Sequence, residues 1–144
     1  MEPTPQQDRE AVEKTLREFF TSMRSVELQC AKRLRAADKG QLPLEQTTRE
    51  CEAEILNVLN RFVLLHGHPS RFGMFIMGSD YDPEGEEILR MEVIGNAAIV
   101  YTHQTTSAPY RKLVYLLREI DGQWRILDFR MQVLDDGGLT PWYL

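Results

Sequence analysis

Five side chains in the C-terminal half have the types and spacing for pocket chemistry: Tyr101, His103, Tyr115, Asp128 and Arg130. A carboxylate base beside a hydrogen-bonding Tyr/Asp pair in an apolar cavity can move a proton next to a carbonyl. That chemistry needs a carboxyl whose pKa is raised enough to donate near neutral pH. These residues do not complete the pattern one by one, and Asp128, two positions from Arg130 on a strand, suits an ion pair or a pocket rim better. No Ser-His-Asp order with a strained GxSxG turn occurs, and no glycine-rich phosphate loop follows a strand. His66 and His68 flank Gly67 with only His103 elsewhere, which lacks a matching carboxylate or cysteine set and reads as a polar helix exit. Cys30 and Cys51 form no CxxC and have no histidine at ligand spacing. They read as two semi-buried thiols on facing helices, and neither a metal nor another cofactor is expected.

A second constellation is acidic. Asp80, Asp82, Glu84, Glu86 and Glu87 lie within one short loop and strand start, with Tyr81 among them. Such a run either blunts a sheet edge or steers a basic protein partner into contact. The last ten residues add Asp135 and Asp136 and two large aromatics, Trp142 and Tyr143. The aromatics either close the bottom of the core or serve as anchors inside a polar rim, as protein interfaces prefer. Net charge is −5, from 17 Lys and Arg against 22 Asp and Glu, which disfavours attraction to a phosphate backbone and argues against a nucleic-acid partner.

The elements that must position these groups follow from periodicity. Residues 1–7 read as an irregular N-terminus, and residues 8–144 as one domain. Asp8 is placed to cap a helix carrying Val12, Leu16, Phe19, Phe20, Met23 and Val26 at helical spacing, and the pattern through Cys30 and Leu34 to the stop at Asp38-Lys39-Gly40 makes either one long helix or two pieces with a bend. Pro43 suits the first turn of a second helix with Cys51, Ile55, Leu59, Phe62 and Val63 as its stripe, ending near residues 66–70. From Arg71 the period changes to that of strands: a short apolar run over 72–78, then 87–94, a Gly95-Asn96 turn, 97–105, and a long hairpin from Tyr110 to Val133 closed by Asp121-Gly122. In its second strand Trp124, Ile126, Asp128 and Arg130 share one face, so neither face is simply apolar. Helices first and an antiparallel meander afterwards predict an α+β domain with the helices on one sheet face.

Two helices followed by a strongly bent antiparallel sheet that ends in Asp-Gly-Gln-Trp-Arg-Ile resemble the nuclear transport factor 2-like superfamily, the cone-shaped fold shared with ketosteroid isomerase and polyketide cyclases. Within it, Tyr81 to Leu89 (Tyr-Asp-Pro-Glu-Gly-Glu-Glu-Ile-Leu), Ala97 to Thr102, Tyr110 to Arg118 and Trp124 to Asp128 are most similar to the bacterial immunity proteins of that fold. The resemblance implies a non-enzymatic protein that neutralises the toxin domain of a polymorphic toxin system by binding it. Its contact residues are then expected among Asp80, Tyr81, Asp82, Glu84, Glu86, Glu87, Asp135, Asp136 and Trp142. The rival expectation is a small-molecule-binding protein or an isomerase- or cyclase-like enzyme, with Tyr101, His103, Tyr115, Asp128 and Arg130 lining the cone around an apolar, carbonyl-bearing ligand. Homodimerisation through the sheet is compatible with either.

At 144 residues the chain buries enough surface for an unassisted core. Its apolar runs, such as 62–65 and 96–101, fall far short of the roughly 20 residues that cross a bilayer, so no membrane span is expected. The charged, proline-containing start lacks the apolar stretch of a signal peptide, and cysteines are few, which predicts a cytoplasmic protein.

Overall fold

The first helix begins one turn earlier than its acidic residues suggest. Thr4 is the N-cap: its hydroxyl accepts from the Gln7 backbone N–H, and the Gln7 side chain accepts from the Thr4 N–H. This reciprocal pair satisfies two donors that a helix start leaves open, and Pro5 at the first helical position has no N–H to satisfy. Asp8 therefore sits inside the first turn, where its charge complements the helix dipole. The expected irregular start over 1–7 is corrected accordingly, because Pro5 to Gln7 are helical. In the computed structural model, which describes residues 4–64, 81–105 and 111–143 (backbone alone for Asp128, Phe129, Trp142 and Tyr143), helix α1 runs unbroken over Pro5–Asp38. Its buried face carries Val12, Leu16, Phe19, Phe20, Met23, Cys30, Ala31 and Leu34.

Helix α2 spans Leu44–Phe62 with Pro43 as its N-cap, and buries Cys51, Ile55 and Phe62. It ends before the expected 66–70, because Val63 takes an extended backbone (φ −118, ψ 140) and starts strand β1, Val63–Leu64. The Arg125 guanidinium donates to the carbonyls of Asn60 (3.0 Å) and Arg61 (3.4 Å), placing a cation at the negative end of the helix. His66, His68 and the apolar run at 72–78 lie outside the described residues.

The remaining strands are β2 (Glu86–Ile94), β3 (Ala97–Gln104), β4 (Lys112–Ile120), β5 (Gln123–Val133) and β6 (Leu139–Tyr143). They form one open sheet in the order β1-β5-β4-β3-β2, with β6 also paired to β5. β1 runs parallel to β5 and the other pairs are antiparallel, so the sheet is mixed and not the pure meander expected. The two predicted hairpin turns form: Asp121 and Gly122 are both left-handed (φ 53 and 78), and Gly95 is left-handed at φ 60. Leu139 to Tyr143 form a paired strand, in register against Val133 to Phe129.

Both helices pack on one face of this sheet. Along β3 the burial alternates strictly, with Ala98, Val100, Thr102 and Gln104 inward. Trp124, Ile126 and Arg130 of β5 point inward too, as the period-two pattern predicts. Phe19 and Phe20 of α1 fill the space above them, 5.4 Å from Tyr81 and 5.2 Å from Tyr115 between ring centroids. Among the described residues, no helix is long and apolar enough to cross a membrane.

Candidate functional site

Two irregularities in the ladder decide which polar groups enter the interior. Across β2 and β3, Ile88 faces Thr102 but Arg90 faces Tyr101, so Leu89 is an extra residue on β2. A one-residue bulge exchanges the two faces of a strand. Glu86 is thereby turned inward, opposite Gln104, and Glu87 outward, opposite His103. Between β4 and β5, Tyr115 faces Arg130 while Leu117 faces Ile126, which leaves two extra residues on β5. An even insertion preserves the facing, so Arg130 stays on the same side as Ile126.

The outcome is a buried polar cluster under α1. The Arg130 Nη1 donates to the Tyr115 hydroxyl at 2.7 Å, and the guanidinium carbon lies 4.7 Å from the centroid of the Tyr81 ring. Tyr115 also faces the Glu86 carboxylate. Glu86 accepts from the Thr102 hydroxyl (2.7 Å) and from the Gln104 side-chain amide (3.0 Å). Arg130, Tyr81 and Tyr115 have no exposed surface and Glu86 has 1%. Burial drives the Tyr115 hydroxyl well above its usual 10.0; the positive Arg130 opposes that rise, while Glu86 and Tyr81 add to it. For Arg130 burial works against the charge, but Tyr115, Tyr81 and Glu86 outweigh it and the guanidinium is held protonated. The cluster is a cation and a carboxylate joined through a neutral tyrosine, the condition under which buried charge is tolerable.

Three arginines of α1 fasten the outside of this cluster. Arg9, Arg17 and Arg24 recur near one face of the helix, and donate to the carbonyls of Met91 (2.8 Å), Glu86 (2.6 Å) with Pro83 (3.0 Å), and Tyr81 (2.9 Å). The segment 81–85 is a defined turn, in which the Asp82 carboxylate accepts from the Gly85 N–H at 3.1 Å.

The candidate residues therefore separate. Of the pocket set, Tyr115 and Arg130 come together in the interior. Tyr101 and His103 lie on the opposite, outer face, with the Arg90 guanidinium 4.2 Å over the Tyr101 ring. The side chain of Asp128 lies outside the described residues. Of the contact set, Tyr81 and Glu86 are buried and cannot meet a partner at the surface, which corrects their assignment. Glu84, Glu87, Asp135 and Asp136 are exposed and Asp82 is half-buried. Asp80 and the side chain of Trp142 fall outside the described residues. The two acidic groups do not form one surface, because Glu84 and Glu87 adjoin the β2 edge whereas Asp135 and Asp136 precede β6 beyond β5. Sequence reasoning missed Glu86, Thr102 and Gln104 as interior groups; only the alternation of Ala98, Val100, Thr102 and Gln104 hinted at it.

A second cluster lies in the seam between the helices. Cys30 and Cys51 are fully buried there, on facing helices as expected. The Cys30 thiol lies 3.5 Å from Glu54 Oε2, and burial pushes this thiol well above its usual 9.0, with Cys51 and Glu54 adding to the rise. Arg33 donates to Glu54 at 2.9 Å and also pairs with Glu50.

No protein-family model matches the chain, and no curated protein or solved structure matches it.

Proposed function

We propose that this chain is an immunity protein that binds and neutralises a cognate bacterial toxin through its outer surface. The observation that carries the reading is the filled interior. Tyr81, Tyr115, Phe19, Phe20 and Arg130, all without exposed surface, occupy the space between α1 and the sheet where an enzyme of the resembled fold would hold its substrate. The architecture of two helices on one face of an open sheet is compatible with the nuclear transport factor 2-like fold, and the resemblance of the 81–89 segment supplies the toxin-binding function. Within that segment the carboxylates of Glu84 and Glu87 remain exposed at the β2 edge, beside the half-buried Asp82. Negative charge at a rim speeds encounter with a basic partner and pairs with its Arg and Lys groups. Asp135 and Asp136 provide a separate acidic contact beside β6.

The test uses the genes that flank this one. Each is expressed alone and together with this chain, and survival is scored. The reading expects at least one neighbour to be lethal alone, harmless in co-expression, and recovered in complex with this chain. A neighbourhood without a toxic product, or a toxin unaffected by co-expression, overturns it.

A further inference from the structure

The seam between α1 and α2 brings together three groups that the chain holds far apart. Cys51 and Glu54 are three residues apart on α2, and so share a face; Cys30 meets them from α1. The two sulfurs and a Glu54 carboxylate oxygen all lie within 4.8 Å of one another. A tetrahedral Zn2+ with bonds of about 2.0–2.3 Å places its donors about 3.3–3.8 Å apart, so the set needs little contraction to close on an ion. The 3.5 Å separation of the Cys30 sulfur and Glu54 Oε2 already falls in that range.

We propose that Cys30, Cys51 and Glu54 form a binding site for a thiophilic divalent cation, with Zn2+ as its natural occupant, linking the two helices. Charge supports this choice. Two thiolates and a carboxylate around a divalent ion leave a net charge of −1, which the Arg33 guanidinium, shared between Glu54 and Glu50, offsets in part. Arg33 also fixes the carboxylate in place, as outer partners of metal ligands do. Binding exchanges two S–H bonds for two metal–sulfur bonds and releases both protons to solvent, without oxidation or reduction. Glu54 is 46% exposed in its side chain, so the ion enters from that side and its fourth position faces solvent.

Co2+ added to the reduced protein is the probe. The expected result is about one Co2+ per chain, a thiolate-to-cobalt charge-transfer band, displacement by Zn2+, and release of about two protons per ion. Zn2+ should also raise the melting temperature in proportion to its saturation of the site. Cys51→Ser should abolish the charge-transfer band of the two-thiolate site, and Glu54→Gln should weaken binding at least about tenfold. Should Cys51→Ser fail to fold, Glu54→Gln alone decides, because its side chain is half in solvent. Absence of the band and of the thermal shift overturns the proposal. So does a Glu54→Gln protein that binds as tightly as the wild type, or a reduced protein without metal affinity whose thiols simply close into a disulfide on exchange with oxidised glutathione.

Discussion

Arg130 and Cys30 are both buried to the last atom, yet their surroundings teach opposite lessons about buried polarity. Arg130 is held by the hydroxyl of Tyr115 and the ring of Tyr81, and through Tyr115 it meets the carboxylate of Glu86, which accepts from Thr102 and Gln104 in turn. That network joins side chains of four strands, β2 to β5, beneath α1. The thiol cluster has instead one dry side and one wet side, because Glu54 reaches out of the seam to Arg33 in solvent. A polar group closed on itself specifies a fold, whereas one with an open flank is available to a ligand.

The sharpest way to break this contrast is to truncate each member. Arg130→Ala leaves Glu86 as an uncompensated buried charge and should cost about 3–5 kcal/mol, close to the whole stability of a small domain. Arg130→Met fills the same space and should lose less than Arg130→Ala, and Arg130→Met with Glu86→Gln, which also removes the unpaired charge, should lose less again. Cys51→Ala removes one heavy atom from the seam and should cost about 1 kcal/mol. Urea midpoints of the variants measure all of these. Equal losses for Arg130→Ala and Cys51→Ala would show that the sheet cluster does not carry the fold.

How far each region was legible follows from the same difference. Helix stripes are local: Val12, Leu16, Phe19, Phe20 and Met23 announce a buried face by spacing alone, and their burial is complete or nearly so. The Asp121-Gly122 turn is local as well, since left-handed backbone at two successive positions favours those residue types. The bulge at Leu89 is not local. Simple alternation back from Val93 and Met91 turns Glu87 inward, and only pairing with β3 reveals that Glu86 takes that place. β1 was hidden because Val63 extends the helical stripe of Cys51, Ile55, Leu59 and Phe62, and only its pairing with β5 makes it a strand. β6 was hidden by its content: Pro141 is a poor strand signal, tolerated here because β6 is an edge. The two thiols were assigned to facing helices, but their coincidence with Glu54 depends on the angle and height at which the helices meet.

The sealed cluster should also leave a signature in pH. Tyr115 keeps its proton in the folded protein far above the pH at which an unfolded tyrosine ionises, near 10. Above that pH the folded state binds more protons than the unfolded one, so its stability is complete below about pH 10 and falls as pH rises. One such group lowers stability by about 1.4 kcal/mol per pH unit in that range. Tyr115→Phe should cost about 1.5–3 kcal/mol at neutral pH, by removing a hydrogen bond to a charged group, and the gap to the wild type should narrow above pH 10. A gap that stays constant to pH 11 would mean that water reaches Tyr115 and that the cluster is not sealed.

The smallest effect on stability, and the one most informative about function, lies in adjacent residues of the 81–89 segment. Glu86 faces inward and Glu87 outward, so the same change of carboxylate to amide tests both sides of one strand. Glu87→Gln with Glu84→Gln should alter stability by less than about 0.5 kcal/mol, because exposed charges are screened and well solvated. It should nevertheless slow association with the cognate toxin several-fold at low salt, and the difference should vanish at high salt, where steering is lost. Glu86→Gln should show the reverse: weakened stability, and association unchanged for the fraction that is folded. Stopped-flow association at two ionic strengths, with thermal melts of the same samples, separates the two. If Glu84 and Glu87 prove neutral for association at both salts, the β2 edge is a solvated rim, and Asp135 and Asp136 beside β6 become the contact to neutralise next.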